Sequence, residues 1–203
     1  MITDLLASVR AITDIPAEEE GKLCSILVNE DLKKGETFIR EGDVPQKFAF
    51  VSNGLFRYYY VNEKGNEFTK GFFPENNFIT SYTAMVRRQP SYYTVQALEN
   101  ARVLVIDYHR WQHLYHGHAC WMNLLFALVE KGYMKKESRE RELLILSAEE
   151  RYRSFLNEYP DLEKRIKQHL IASYLGITPV ALSRIRKEMF GDNAAKSGKP
   201  LVH

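Results

Sequence analysis

Hydrophobic positions change period twice along the chain. Residues 1–30 repeat as helices do: Leu5, Leu6 and Val9 recur on one face, and after Pro16 an acidic first turn (Glu18, Glu19, Glu20) leads to Leu23, Ile26 and Leu27. Residues 31–108 read as short strands. "LKKGETFIREGD" has Gly35 and Gly42 as turn punctuation, and "QKFAFVSNGLFRYYYV" is broken at Asn53-Gly54. "YYYVNEKGNEFTKGFF" reads as a hairpin with Asn62 to Asn66 as its loop, and "YYTVQALENARVLVIDY" supplies further strands across Glu99-Asn100. Many short strands at regular spacing predict a barrel or jelly roll. The helical period returns from residue 109, with an apolar stripe at Trp121, Leu124, Leu125 and Leu128 followed by the charged "EKGYMKKESRERE". A long helix with one apolar seam pairs readily with its twin. Ser147 and Glu150 match a capping box, and the helix they start stops at Pro160.

The stretch "IASYLGITPVALSRIRKE", residues 171–188, is two short helices joined at a glycine. Ile171, Ala172 and Leu175 share a face, and Gly176 can take the left-handed conformation that ends a helix cheaply. Thr178 is a good N-cap and Pro179 falls at the first helical position, where its missing N–H costs nothing. Leu182, Ile185 and Met189 continue one face of the second helix, and Val180, Ser183, Arg184 and Lys187 recur at i, i+3, i+4 and i+7 on the opposite one. An apolar hairpin core with a basic outer face is what a helix-turn-helix DNA reader needs. Arg186, beside Arg184 and Lys187, adds to the basic character expected to meet phosphates.

Composition narrows the rest. The chain has 203 residues, a net charge of +2 and 45% hydrophobic residues, room and material for one large or two small domains. From Ala148 onward there are ten Lys and Arg against seven Asp and Glu, so the basic excess gathers in the suspected reader. No apolar run reaches membrane-spanning length, the start lacks a basic segment followed by an apolar one, and no membrane partner is expected. Two cysteines, Cys24 and Cys120, build neither a disulfide framework nor a four-cysteine cluster site, so a cytoplasmic location is expected. No Gly-x-Ser-x-Gly elbow and no phosphate loop occurs, and no enzyme is expected.

Over about residues 25–190 the chain resembles the Crp/Fnr family of transcriptional regulators. The resemblance is carried by "LKKGETFIREGD", "FFPENNFITSY", "PSYYTVQALENARVLVI" and "KQHLIASYLGITPVALSRIRKE". It implies an α+β architecture: an N-terminal cyclic-nucleotide-binding-like jelly-roll barrel with flanking helices over 1–117, a long dimerisation helix over 118–146, a helix-turn-helix domain over 147–190 and a flexible tail over 191–203. It further implies double-stranded DNA as a partner, a homodimer joined through Trp121, Leu124, Leu125 and Leu128, contact with RNA polymerase if the protein activates, and a small-molecule effector. Thr178, Pro179, Val180, Ser183, Arg184, Arg186 and Lys187 are the candidate DNA-binding residues. By alignment with family members, Arg184 falls where an arginine reads a guanine, and Val180 replaces an acidic residue that accepts from cytosine.

One departure bears on the effector. In cyclic-AMP-binding members a glycine–glutamate pair contacts the ribose and an arginine–serine pair holds the phosphate; here Thr80 and Ser81, and Ser91 and Tyr92, occupy those positions. A phosphate held without that cation loses a charge-assisted hydrogen bond of about 1.5–3 kcal/mol, so cyclic AMP is not expected as the effector and no cofactor is assigned. Arg87 and Arg88 can substitute only if their loop folds inward. The region is rich instead in Phe72, Phe73, Tyr82, Tyr92 and Tyr93, which either fill the barrel or line a pocket for an apolar or aromatic ligand. "YHRWQHLYHGHAC" places His109, His113, His116, His118 and Cys120 close together, with His109 and His113 at i, i+4, but no further ligand joins them at a regular zinc spacing. The competing reading is a ligand- or metal-binding sensory module that acts through protein contacts.

Overall fold

The computed structural model describes residues 1–191; beyond Gly191 the expected tail lies outside the described residues. Helices α1 (Ile2–Arg10) and α2 (Ala17–Ser25) open the chain. Strands β1 (Leu27–Leu32), β2 (Thr37–Ile39), β3 (Lys47–Asn53), β4 (Phe56–Val61), β5 (Glu67–Phe73) and β6 (Phe78–Ile79) follow. After helix α3 (Tyr82–Arg87) come β7 (Thr94–Ala97) and β8 (Ala101–Asp107). Helices α4 (Tyr108–Tyr115), α5 (Ala119–Ile145), α6 (Ala148–Glu158), α7 (Gln168–Leu175) and α8 (Pro179–Phe190) complete the order, with a 3-10 turn at Leu162–Lys164.

The strands form two four-stranded sheets, ordered β1-β8-β3-β6 and β2-β7-β4-β5. The expected barrel is therefore a jelly-roll sandwich: among the described residues each sheet is hydrogen-bonded within itself and not to the other. Its outer strands β2 and β6 have three and two residues, too few to carry a ladder round and close a barrel. Phe56, Tyr58, Val95 and Ala97 of the second sheet meet Ala49, Val51, Val103 and Val105 of the first between the layers. The other face of β8 is also covered. Leu104 and Ile106, with Phe50 of β3, pack against Leu5, Val9, Leu23, Trp111, Trp121 and Leu124 of the helices. Burial on both faces is why "VLVI" runs apolar without alternating.

Gly54 joins β3 to β4 and so carries the chain from one sheet to the other. Its φ is +109°, and a Cβ there would sit 2.5 Å from the Ala101 Cβ and 2.8 Å from its Cα. Only glycine fits. The β4–β5 loop is closed by Asn62, whose Oδ1 accepts from the N–H of Lys64 at 3.1 Å and of Asn66 at 2.9 Å.

Contacts divide the chain into two compact units, one of residues 1–61 with 70–132, the other of 62–69 with 133 onward. In the second, Ser147 and Glu150 close the expected capping box at the start of α6. Tyr152, Phe155, Tyr159 and Tyr174 form an aromatic core there, with Ile171, Ala172, Leu175, Leu182 and Ile185 buried in the same unit. Among the described residues no helix is long and apolar enough to cross a membrane.

Candidate nucleic-acid interface and effector pocket

Helix α7 ends at Gly176, whose φ is +69° and ψ +33°, and the Ile177 N–H turns back to the Ala172 carbonyl at 3.0 Å. Thr178 then caps α8, its Oγ1 accepting from the Ala181 N–H at 3.1 Å, and Pro179 follows at the first helical position. Leu182 and Ile185 face inward. The opposite side of α8 presents Val180, Ser183, Arg184 and Lys187 to solvent, with Thr178 and Pro179 exposed at its start. Val180 is 79% exposed. The Arg184 side chain is 76% exposed and lies 3.8 Å from Glu188, too loose an ion pair to hold it back.

Arg186 does not join this face. It is 5% exposed, and its Nη1 donates to Glu163 Oε1 at 3.0 Å. The Tyr152 hydroxyl donates to the same carboxylate oxygen, and burial, then that carboxylate, pushes the phenol's pKa well up. Arg186 lies one residue after Ile185 and four after Leu182, so its stem runs along the inner face of α8. Arg186 was expected to meet phosphates; instead the partly buried Glu163 carboxylate takes up its charge and ties α8 to the 3-10 turn and α6. The partner, 23 positions upstream, could be found only from the folded chain.

The stripe expected to join two copies packs instead on its own chain. Trp121 and Leu124 are buried in their own unit, and Leu125 and Leu128 pack partly on the same cluster. Trp121 Nε1 donates to Glu19 Oε2 at 2.6 Å, which fixes the start of α5 to α2. The side of α5 left open carries Met122, Phe126, Val129 and Tyr133, each 43–68% exposed and spaced by four, three and four residues. That spacing matches a heptad repeat.

The positions expected to hold a sugar and a phosphate are bonded to one another. Ser91 Oγ donates to Ser81 Oγ at 2.8 Å or to the Tyr93 carbonyl at 2.7 Å, and both serines are 2% exposed. Thr80 donates its N–H to the Tyr58 hydroxyl at 2.8 Å, and its carbonyl accepts from the Tyr93 hydroxyl at 3.2 Å. Tyr58 stacks on Phe73 at 3.9 Å and on Tyr93 at 5.1 Å. Burial raises the pKa of both Tyr58 and Tyr93, so these phenols stay neutral. Phe72 is fully buried, while Tyr82 is at the surface and Tyr92 is 73% exposed; neither tyrosine joins the cluster. Arg87 and Arg88 are both exposed, and Arg88 has φ +53°, so the loop does not bring a cation inward. Sequence reasoning missed Tyr58, Tyr60 and Lys70. Tyr60 packs edge-on against Tyr93, and the Lys70 Nζ sits 4.5 Å from the Tyr93 ring centre and 5.7 Å from that of Tyr58. Alternation along β4 from Phe56 would have brought out the two tyrosines.

His109 and His113 stand with ring centres 4.7 Å apart, and His118 Nδ1 accepts from the Cys120 N–H at 3.2 Å. Among the described residues no three His, Cys, Asp or Glu side chains come together as a metal site.

Residues 29–118 match the family model of the cyclic nucleotide-binding domain. No curated protein matches the chain. Among solved structures, FixK2 from Bradyrhizobium japonicum is similar at a TM-score of 0.72 and 17% identity, covering 81% of this chain and 84% of that one. The regulator CLP from Xanthomonas campestris, described as responsive to c-di-GMP, has a TM-score of 0.70 and 16% identity over 88% and 93%. A protein assigned to the Crp/Fnr family of transcriptional regulators from Eubacterium rectale has a TM-score of 0.68 and 18% identity over 87% and 84%. At such identities the likeness is one of fold, and that fold is shared with Crp/Fnr transcription regulators.

Proposed function

We propose that this chain is a Crp/Fnr-type transcriptional regulator that reads double-stranded DNA through α8 as a homodimer. The exposed row of Val180, Ser183, Arg184 and Lys187, held on a glycine-turn helix pair, is the observation that carries the reading. Arg184 reads a guanine edge and Val180 contacts a thymine methyl, while Lys187 and the capped N-terminus of α8 meet phosphates. The open heptad seam of α5, Met122 to Tyr133, supplies the dimer contact in place of Trp121 and Leu124. Two copies read inverted half-sites roughly 34–36 Å apart. RNA polymerase is a partner where the protein activates. The sandwich does not take cyclic AMP in the usual way, because Ser81 and Ser91 are bonded to each other and no arginine reaches them.

Selection of bound fragments from a random duplex pool by the full chain tests this, with the affinity for the selected duplex measured across salt. Specific DNA binding must weaken steeply with salt, by a slope of roughly −0.9 per phosphate neutralised. Arg184→Ala is expected to cost about 1–3 kcal/mol at one base pair per half-site and to flatten preference there. A pool that returns no enriched sequence, or an Arg184→Ala protein with unchanged preference, overturns the assignment.

A further inference from the structure

We propose that Ser173 is a latch through which the aromatic cluster at Lys70 and Tyr93 controls the helix pair, an inference that rests on the DNA-reading function above. β5 ends its sheet, so one of its edges has no strand partner among the described residues. Ser173 of α7 takes the place of that partner. Its Oγ accepts from the Thr69 N–H at 2.9 Å and donates to the Glu67 carbonyl at 3.2 Å. In an extended strand, residues two apart turn their backbone polar groups to the same side, so one hydroxyl satisfies a donor and an acceptor at once. Thr69 is buried, where an unmet backbone N–H is costly.

The strand connects this bond to the aromatic cluster by one peptide link. Thr69 precedes Lys70, whose ammonium lies over the Tyr93 and Tyr58 rings. Side chains alternate along a strand, so a ligand that draws the Lys70 side chain away from Tyr93, an anion above all, rotates the backbone at Thr69 and strains its bond to Ser173. At the other end of the segment Asn62 Oδ1 accepts from the Lys64 and Asn66 N–H groups and closes the loop, so the rotation is not taken up there. Ser173 is one residue from Ala172, whose carbonyl accepts the Ile177 N–H in the turn before α8. Ser173 therefore acts as a positioning residue for the reader.

Hydrogen exchange on the full chain tests the latch without DNA. Ser173→Ala is expected to speed exchange across 67–69 and α7 by about 2- to 10-fold, and Ser173→Thr, which keeps the hydroxyl, to restore protection. Lys70→Met is expected to loosen α7 in the wild-type background and to add nothing in Ser173→Ala. Unchanged protection in Ser173→Ala, or additive effects of the two substitutions, overturns the latch. On the selected duplex, Ser173→Ala is expected to change affinity without changing base preference, in contrast to Arg184→Ala, and an unchanged affinity also overturns it. If no duplex is selected, the DNA-reading function fails while the exchange data still decide the latch.

Discussion

Arg184 and Arg186 are two residues apart on α8 and meet opposite surroundings, one open to solvent and the other 5% exposed against Glu163. Removing one partner of a buried pair leaves the other charge uncompensated, so Arg186→Ala is expected to destabilise the protein by about 3 kcal/mol, read by chemical denaturation. Under conditions where the variant is folded, its DNA binding should keep the wild-type salt slope; a slope reduced by about one would return Arg186 to the phosphates. The regular spacing that marks Val180, Ser183, Arg184 and Lys187 was legible in the sequence because a helix repeats locally. The fate of Arg186 was not, since it depends on a carboxylate brought near by the fold. Glu19 is a second residue of this kind. Hydrogen bonds from Lys22, then from Trp121, hold its carboxyl below its ordinary value of 4.5. A lowered folded pKa contributes stability above the unfolded pKa and loses it as pH falls through the folded one. Stability of the wild type is therefore expected to be level down to about pH 5 and to fall below that. Glu19→Gln should fall less steeply over that acid limb, and parallel profiles in tryptophan-monitored denaturation would sink the assignment.

At the scale of elements, α5 shows how a hydrophobic pattern can be read on the wrong side. Its first turns are apolar nearly all round, with Trp121, Leu124, Leu125 and Leu128 on one side and Met122, Phe126 and Val129 on the other. Periodicity marks both stripes; which one meets its own chain is decided by the sheet and α2 packed against Trp121. Phe126→Glu is expected to weaken dimerisation by roughly 100-fold or more, since two buried phenylalanines are lost, while the melting temperature of the monomer stays near that of wild type. Leu128→Glu should do the reverse and lower the melting temperature first. Sedimentation velocity at micromolar concentration separates the two, and a dimeric Phe126→Glu protein refutes the seam. The β4–β5 hairpin, by contrast, matched its sequence pattern because its loop chemistry, Asn62 above all, is contained within five residues.

For the whole molecule, the order of helices, strands and helix pair was readable because each period persists over tens of residues. That the strands make an open sandwich was not, since it turns on how short β2 and β6 are. The pocket follows the same division: the missing arginine is a sequence fact, whereas the Ser81–Ser91 bond and the Tyr58–Phe73–Tyr93 stack are facts of packing. Calorimetry with cyclic AMP or cyclic GMP at millimolar concentration is expected to show no binding heat, in line with roughly tenfold to hundredfold lost affinity before the serine pair is even separated. Micromolar binding removed by Lys70→Met would mean that Lys70 holds the phosphate. Gly54 has a consequence for how any mutational survey of this protein is interpreted. A side chain added there would place its Cβ 2.5 Å from the Ala101 Cβ and 2.8 Å from its Cα, so every replacement must displace the start of β8 where the chain changes layers. A screen scored by reporter expression would rank Gly54 with Arg184. One position would have lost its folded protein and the other its base preference, and only a parallel measure of protein abundance tells them apart.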